Sequence, residues 1–147
     1  IDQSLITRAD SLSNFNRKLA NKYKAGLGLQ YLDKFLKDSI IKNSLNQFYS
    51  LSLIKQTSSS SDDFKRILES KTDKNLDWFF NEYVQTNKKI DYTIDKIEKQ
   101  GDSAKVTIKN LRNFTSPITL SGIDKRNVIF EKWIENIDSV KTITVPT

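Results

Sequence analysis

The spacing of apolar residues changes at Lys88, and no other feature of the sequence constrains the fold as strongly. Before Lys88, apolar side chains recur every three or four positions, which predicts amphipathic helices. After it they alternate with polar ones, as at Tyr92 and Ile94, which predicts half-buried strands. The sequence therefore predicts an α+β fold, with an all-helical subdomain over residues 1–87 and a small antiparallel β-sandwich over residues 88–147.

The second half of the sequence predicts five short strands at intervals of roughly ten residues. The first strand contains Tyr92 and ends at a hairpin turn over residues 100–103. Val106 and Ile108 are predicted to face inward from the second strand. This spacing favours a β-sandwich of the Ig-like kind. The other three strands are predicted over residues 117–123, 127–134 and 139–145.

The helical half is organised around residues 21–36, NKYKAGLGLQYLDKFL. At helical spacing one apolar stripe forms the predicted core face, and three apolar residues of the preceding turns approach it. Gly26 and Gly28 each cost about 1 kcal/mol relative to alanine in a helix interior, so a neighbouring helix or a bound substrate is expected to approach the backbone there. The stripe consists of Ala25, Leu29, Leu32 and Leu36, and the approaching residues are Phe15, Leu19 and Tyr23.

Further helices are predicted on both sides of this segment. Apolar residues over 5–19 predict one helix or two short ones, and those over 40–54 predict another. Ser60 or Ser61 is the expected N-cap of the next helix, because two aspartates follow and place negative charge on its first turn. Residues 76–84, LDWFFNEYV, form the most apolar helix of this half and are predicted to lie in the core.

Composition excludes several kinds of site. The chain has no cysteine and no histidine, so it cannot form a disulfide, a thiol nucleophile or a Ser-His-Asp triad. For the same reason it cannot by itself build a zinc site from the usual nitrogen and sulfur ligands. Two aspartate pairs are interpreted as first-turn charge and as outward strand residues rather than as a calcium site. They are Asp62 with Asp63, and Asp91 with Asp95.

The formal net charge of +6 is divided evenly between the two predicted halves. No stripe of basic residues with aromatics between them is evident, so no nucleic-acid partner is predicted. No apolar run approaches the roughly 20 residues of a membrane span. Because the sequence contains no methionine and opens directly on Ile1, we expect a piece of a longer polypeptide, and the sequence predicts no cellular location.

Tyr23-Lys24-Ala25-Gly26, the leucines that follow it, and the later segment 76–84 resemble, in this order, the end of the catalytic domain of the M1 zinc aminopeptidases. The helix motif of that gluzincin family usually reads Tyr-x-Lys-Gly, and here the lysine stands one place earlier. By this resemblance residues 1–87 are the C-terminal part of a thermolysin-like catalytic domain, and residues 88–147 are the β-sandwich that follows it.

The resemblance also implies a role for Tyr23. In the family this tyrosine donates a hydrogen bond to the oxyanion that forms when water attacks the peptide carbonyl. The zinc of such a parent protein is held by an upstream His-Glu-x-x-His helix and a later glutamate, which this chain lacks. The partner implied is a peptide substrate, and the chain alone is expected not to be catalytic, because it has neither a general base nor a Lewis acid for the reaction.

Three interpretations of the chain stay open on the sequence. It is the C-terminal part of an M1-like zinc aminopeptidase acting on peptide N-termini, a non-catalytic M1-like module that binds peptide or protein, or, least favoured, a basic adaptor for nucleic acid. Tyr23 has two interpretations as well: the oxyanion donor, or a helix tyrosine whose ring lies in the core and whose hydroxyl meets a backbone or water partner.

Overall fold

The structure is a computed structural model that describes residues 2–55 and 59–147. The chain divides into two compact units, Ile1–Asn87 and Lys88–Thr147. The first unit is built from helices and the second from antiparallel strands, so the predicted α+β class is confirmed. Among the helices of the described part, none combines the length and the apolar character needed to cross a membrane.

In the helical unit a π-helical segment runs directly into the first α-helix, and a second π-helical segment ends the unit. We refer to the second as the aromatic segment. The elements are the π-helical Asn16–Ala20, α1 (Asn21–Leu36), α2 (Ile40–Lys55), α3 (Ser61–Glu69) and the aromatic segment Trp78–Val84.

The helix predicted over residues 5–19 is wrong in its first part, because residues 5–12 form turns and bends and helical structure begins at residue 14. Side-chain hydrogen bonds compete with the helix here. Gln3 donates to the carbonyl of Ser11 at 3.1 Å and accepts from the backbone N–H of Ser13 at 3.0 Å. The N–H of Leu5 is also directed away, to the carbonyl of Val84 at 3.0 Å.

The start of α3 is confirmed at the predicted serine. Ser60 is the N-cap, its hydroxyl accepts from the backbone N–H of Asp63, and the Asp63 carboxylate accepts from the backbone N–H of Ser60. This reciprocal pair is a capping box, with aspartate in the place that glutamate usually takes.

The core of the helical unit lies between α1 and the aromatic segment. Leu32, Phe35 and Leu36 of α1 are buried, as are Trp78, Phe79 and Phe80. The Trp78 ring meets the rings of Tyr31 and Phe35 edge-on, with centroids 5.8 and 6.1 Å apart. Edge-to-face pairs at this separation are favourable beyond the area they bury. The prediction that the 76–84 segment belongs to the core is confirmed.

The second unit contains two antiparallel sheets, of three strands in the order β1-β2-β5 and of two strands in the order β3-β4. The last three strands begin within one residue of their predicted starts, and β2 follows the predicted hairpin turn. A two-residue turn joins β1 to β2 at Gly101, whose φ of +60° glycine adopts without strain. The strands are β1 (Tyr92–Gln100), β2 (Ser103–Asn110), β3 (Ile118–Asp124), β4 (Asn127–Ile134) and β5 (Val140–Pro146).

Residues from both sheets share one apolar core. Val106 and Ile108 of β2 are buried as predicted, together with Val145 of β5 and Ile134 of β4. The hydroxyl of Tyr92 is held beside this core, because it donates to a backbone carbonyl and accepts from a backbone N–H of the segment between β2 and β3. β1 is more exposed than the sequence predicts, since it forms an edge of its sheet and has one strand neighbour within it.

Candidate functional site on helix α1

Helix α1 has two faces of different character. The predicted core face is confirmed at Leu32 and Leu36, but Tyr23 does not approach it, and its side chain is 65% exposed. Tyr23 and Leu32 are nine positions apart, about two and a half turns, so they project from opposite sides of the helix. Phe15 and Leu19 are exposed as well, so the prediction that these three residues approach the core is wrong.

Tyr23 lines a shallow pocket on the exposed face of α1. The pocket has a volume of about 450 Å³ and is open to solvent. Its lining combines three polar side chains with a glycine and a leucine. We call this site the Tyr23 pocket, and its lining residues are Lys22, Tyr23, Gly26, Leu27 and Gln30.

The two glycines of α1 have different surroundings. Gly28 is buried, and a methyl group in its place would overlap the ring of Tyr83. Close packing against a neighbouring element therefore accounts for Gly28. Gly26 has no neighbour within 4 Å of the position that such a methyl group would take, so nothing in the described part of the chain requires a glycine there. Gly26 instead leaves the backbone beside Tyr23 open to an approaching molecule.

The polar groups of the Tyr23 pocket are not used inside the protein. The side chains of Lys22, Tyr23 and Gln30 make no hydrogen bond or ion pair with any other residue in the ranges 2–55 and 59–147. A lysine ammonium is a donor only, whereas a phenol and an amide can donate or accept. These three groups can therefore bind a carbonyl or carboxylate oxygen placed over the pocket.

The next lysine along the chain, Lys24, has a structural role. Its ammonium lies 3.4 Å from the carbonyl of Gln3, 3.3 Å from that of Thr86 and 3.6 Å from the carboxylate of Asp2. It therefore ties both ends of the helical unit to α1. The early position of lysine in the Tyr-Lys-Ala-Gly motif thus directs this side chain inward.

Tyr83 is a residue of this region that the sequence did not single out. Its hydroxyl donates to the carbonyl of Lys24 at 2.7 Å, and its ring stacks on that of Phe79 at 5.6 Å. Burial raises the pKa of the Tyr83 hydroxyl, and the nearby carboxylate of Asp2 adds to the effect, so the group stays a donor at neutral pH. Tyr83 thereby holds the segment of α1 that follows Tyr23. Its only signal in the sequence is its place in the aromatic segment.

The aspartates considered as metal ligands bind protein groups instead. Asp63 belongs to the capping box and pairs with Arg66. Asp91 pairs with Arg112 at 3.1 Å, and Asp95 with Lys109 at 2.7 Å. In the residues that the structure describes, no three acidic, histidine or cysteine side chains cluster as a metal site requires. The residues that the structure describes therefore do not fit zinc.

A second pocket, of about 250 Å³, lies between α2 and α3. Phe48, Leu51 and Ile67 supply its apolar lining. The two charged side chains that line it, Asp63 and Arg66, are paired with each other. It therefore offers a ligand less free hydrogen-bonding capacity than the Tyr23 pocket.

Comparison of the chain with protein-family models, with curated proteins and with solved structures finds no match.

Proposed function

We propose that this chain is the C-terminal part of an M1-like zinc aminopeptidase, formed by the end of the catalytic domain and an Ig-like β-sandwich. One observation carries the proposal: Tyr23 presents an unpaired hydroxyl at an open pocket, beside a glycine that nothing within the described protein requires. This arrangement suits a side chain that acts on a bound molecule. The zinc ligands lie outside this chain, and the metal supplies the Lewis acid of the reaction when bound.

The part of Tyr23 in this function is hydrogen-bond donation. When water attacks the carbonyl of the N-terminal peptide bond, negative charge develops on the carbonyl oxygen, and the phenol donates to that oxygen. A preorganised donor of this kind contributes on the order of 3 kcal/mol to the transition state. The pocket lining contains no carboxylate or imidazole, so the general base must come from elsewhere in the enzyme.

The test is Tyr23→Phe in the full-length polypeptide. Because the hydroxyl acts on charge that exists only in the transition state, kcat and kcat/KM should fall equally, by about a hundredfold or more, with KM nearly unchanged. Tyr49→Phe is the matched control, since Tyr49 is equally exposed on α2, and it should leave kcat unchanged. Equal kcat for the wild-type protein and Tyr23→Phe would show that the Tyr23 hydroxyl has no part in catalysis.

A second candidate function is a non-catalytic relative that binds peptide or protein. The unpaired groups at the rim of the Tyr23 pocket favour it, because they can hold a peptide without any metal. The two candidates differ in zinc content and in turnover of aminoacyl amides by the full-length polypeptide. In either case the isolated chain of 147 residues is expected to show no turnover above a buffer blank. Turnover by this chain alone would contradict both proposals.

A further inference from the structure

The Tyr23 pocket is the centre of a longer apolar surface. Phe15, Leu19, Tyr23 and Leu27 follow one another at intervals of four residues, so they line up along one side of the continuous helical stretch that begins at residue 14 and runs through α1. Their side chains are between 46% and 65% exposed. We call these four residues the apolar strip. A continuous row of exposed large apolar side chains on one helix is typical of a surface that binds a partner.

The charges around the apolar strip are predominantly positive. Arg17, Lys18, Lys22 and Lys34 are exposed on this part of the chain, whereas Asp33 is the exposed carboxylate of the same stretch. In the described ranges none of the four cations forms an ion pair, and the guanidinium of Arg17 donates only to the neutral amide of Asn14. Their charge is therefore available to a partner that carries carboxylates.

The same charges disfavour a second copy of this chain as the occupant. Two apolar strips facing each other would bring two sets of four cations together, with one carboxylate on each side to offset them. Like charges placed face to face across an interface cost several kcal/mol. A molecule of opposite charge therefore fits this surface better than a second copy does.

The open space over Gly26 favours a polypeptide over a lipid surface or a nucleic acid as the bound partner. An apolar side chain of a polypeptide can enter the open space over Gly26 and contact Tyr23 and Leu27, whereas a lipid surface has no such projection. A nucleic acid would satisfy the cations, but its phosphates would leave the apolar floor at Leu27 without a matching contact. An acidic polypeptide segment with apolar side chains fits both the charge and the shape.

We propose that the apolar strip binds such a segment, with an apolar side chain over Gly26 and a carboxylate at Lys22. This rests on the proposed function in one respect, because the bound segment of an aminopeptidase would be its substrate. The substrates are then peptides in which acidic and apolar residues are adjacent. Tyr23 and Gln30 complete the site by hydrogen bonding to the peptide backbone.

The test measures binding to the intact chain of 147 residues by fluorescence anisotropy. The probe is a short fluorescein-labelled peptide of leucine and glutamate, and the control probe carries lysine in place of glutamate. We expect the acidic probe to bind and the basic probe not to bind. Lys22→Glu should weaken binding of the acidic probe by about tenfold or more, because it places like charges together. Lys42→Glu, at an exposed position of α2, should change it less than about twofold.

A second variant tests the shape of the site. Gly26→Leu occupies the space over Gly26 and should also weaken binding of the acidic probe by about tenfold. It should not unfold the chain, because leucine is the better helix former and its side chain enters open space. Thermal unfolding of each variant checks that the fold is kept. Equal loss of binding in Lys22→Glu and Lys42→Glu, or full binding in Gly26→Leu, would overturn the proposal.

Other partners give distinct results in the same assays. Binding to phosphatidylserine vesicles or to a labelled oligonucleotide, in place of the acidic probe, would overturn the proposal in favour of a membrane or a nucleic acid. A dimer in sedimentation that Gly26→Leu abolishes would assign the strip to a second copy. Failure of the enzymatic proposal is distinguishable from failure of the peptide-binding proposal. The first is measured as kcat of Tyr23→Phe in the full-length protein, and the second as binding of the acidic probe to this chain.

Discussion

The two faces of helix α1 have nearly the same kinds of residues but opposite environments. Each face carries a glycine and leucines. Gly28 and Leu32 are buried against the protein, whereas Gly26 and Leu27 are exposed. The difference lies in the neighbours, because the aromatic segment covers one face, and no described element covers Tyr23 and Leu27 on the other. Similar residues thus serve packing on one face and are free for binding on the other.

The largest expected difference between the two faces is in their leucines. Leu32→Ala should lower the free energy of unfolding by about 2–5 kcal/mol, because it removes buried atoms and leaves a cavity. Leu27→Ala, which removes the same atoms from an exposed position, should change it by no more than about 0.5 kcal/mol. Urea unfolding of the intact chain measures both. Equal destabilisation would mean that the exposed face is covered in solution.

The two glycines should respond to the same change with opposite signs. Gly28→Ala should destabilise the helical unit by about 1–3 kcal/mol, because the new methyl group overlaps the Tyr83 ring. Gly26→Ala should stabilise it by about 1 kcal/mol, since the methyl group enters open space and alanine is the better helix former. Thermal unfolding of the two variants gives both signs. Destabilisation by Gly26→Ala would mean that a contact inside the protein requires that glycine.

A smaller difference is expected between the two tyrosines. Tyr83→Phe should cost about 1 kcal/mol of unfolding free energy, because it removes the hydrogen bond to the carbonyl of Lys24. Tyr23→Phe should leave stability unchanged, since its hydroxyl has no partner in the described protein. Both are measured by denaturant unfolding with Tyr49→Phe as a surface control. A loss of stability in Tyr23→Phe equal to that in Tyr83→Phe would contradict the assignment of the two faces.

The smallest effect concerns the ion pair between α3 and the residue that precedes the aromatic segment. Lys65 donates to Asp77 at 2.9 Å. This hydrogen bond lowers the pKa of Asp77 below its ordinary 3.8 and raises the pKa of Lys65 above its ordinary 10.5. The contribution to stability is therefore full between those two values, and is lost as pH falls through the lowered pKa of Asp77 or rises through the raised pKa of Lys65.

Both partners are partly exposed, so the contribution is expected to be about 0.2–1 kcal/mol. Lys65→Met should lower the unfolding free energy by this amount near neutral pH, and the difference from the wild-type protein should shrink once Asp77 is protonated in acid. Lys42→Met, which removes an exposed charge from α2, serves as the control. A difference for Lys65→Met that persists in strong acid would assign the effect to lost packing against Phe80 instead.

The sequence by itself determined the features that depend on neighbours close along the chain. The alternation of apolar and polar side chains predicted the positions of β2 to β5. The capping box needs only Ser60 and Asp63, and the two-residue turn at Gly101 defines the first hairpin. These elements are decided within a few residues, by periodicity, by a local hydrogen bond and by a glycine φ angle. That is why their positions could be predicted without the tertiary structure.

Only the tertiary structure decided which face of α1 is buried and which residues are left for function. Periodicity located the apolar residues of that helix, but both of its sides carry them, so Tyr23 could be expected in the core or in a cleft. The choice depends on Tyr83, which lies 59 residues from Lys24 in sequence and covers Gly28. The turns over residues 5–12 depend likewise on Gln3 and on the distant carbonyl of Val84. Local sequence patterns do not show which distant parts of the chain come into contact. The role of each residue on α1 is therefore determined by what packs against it.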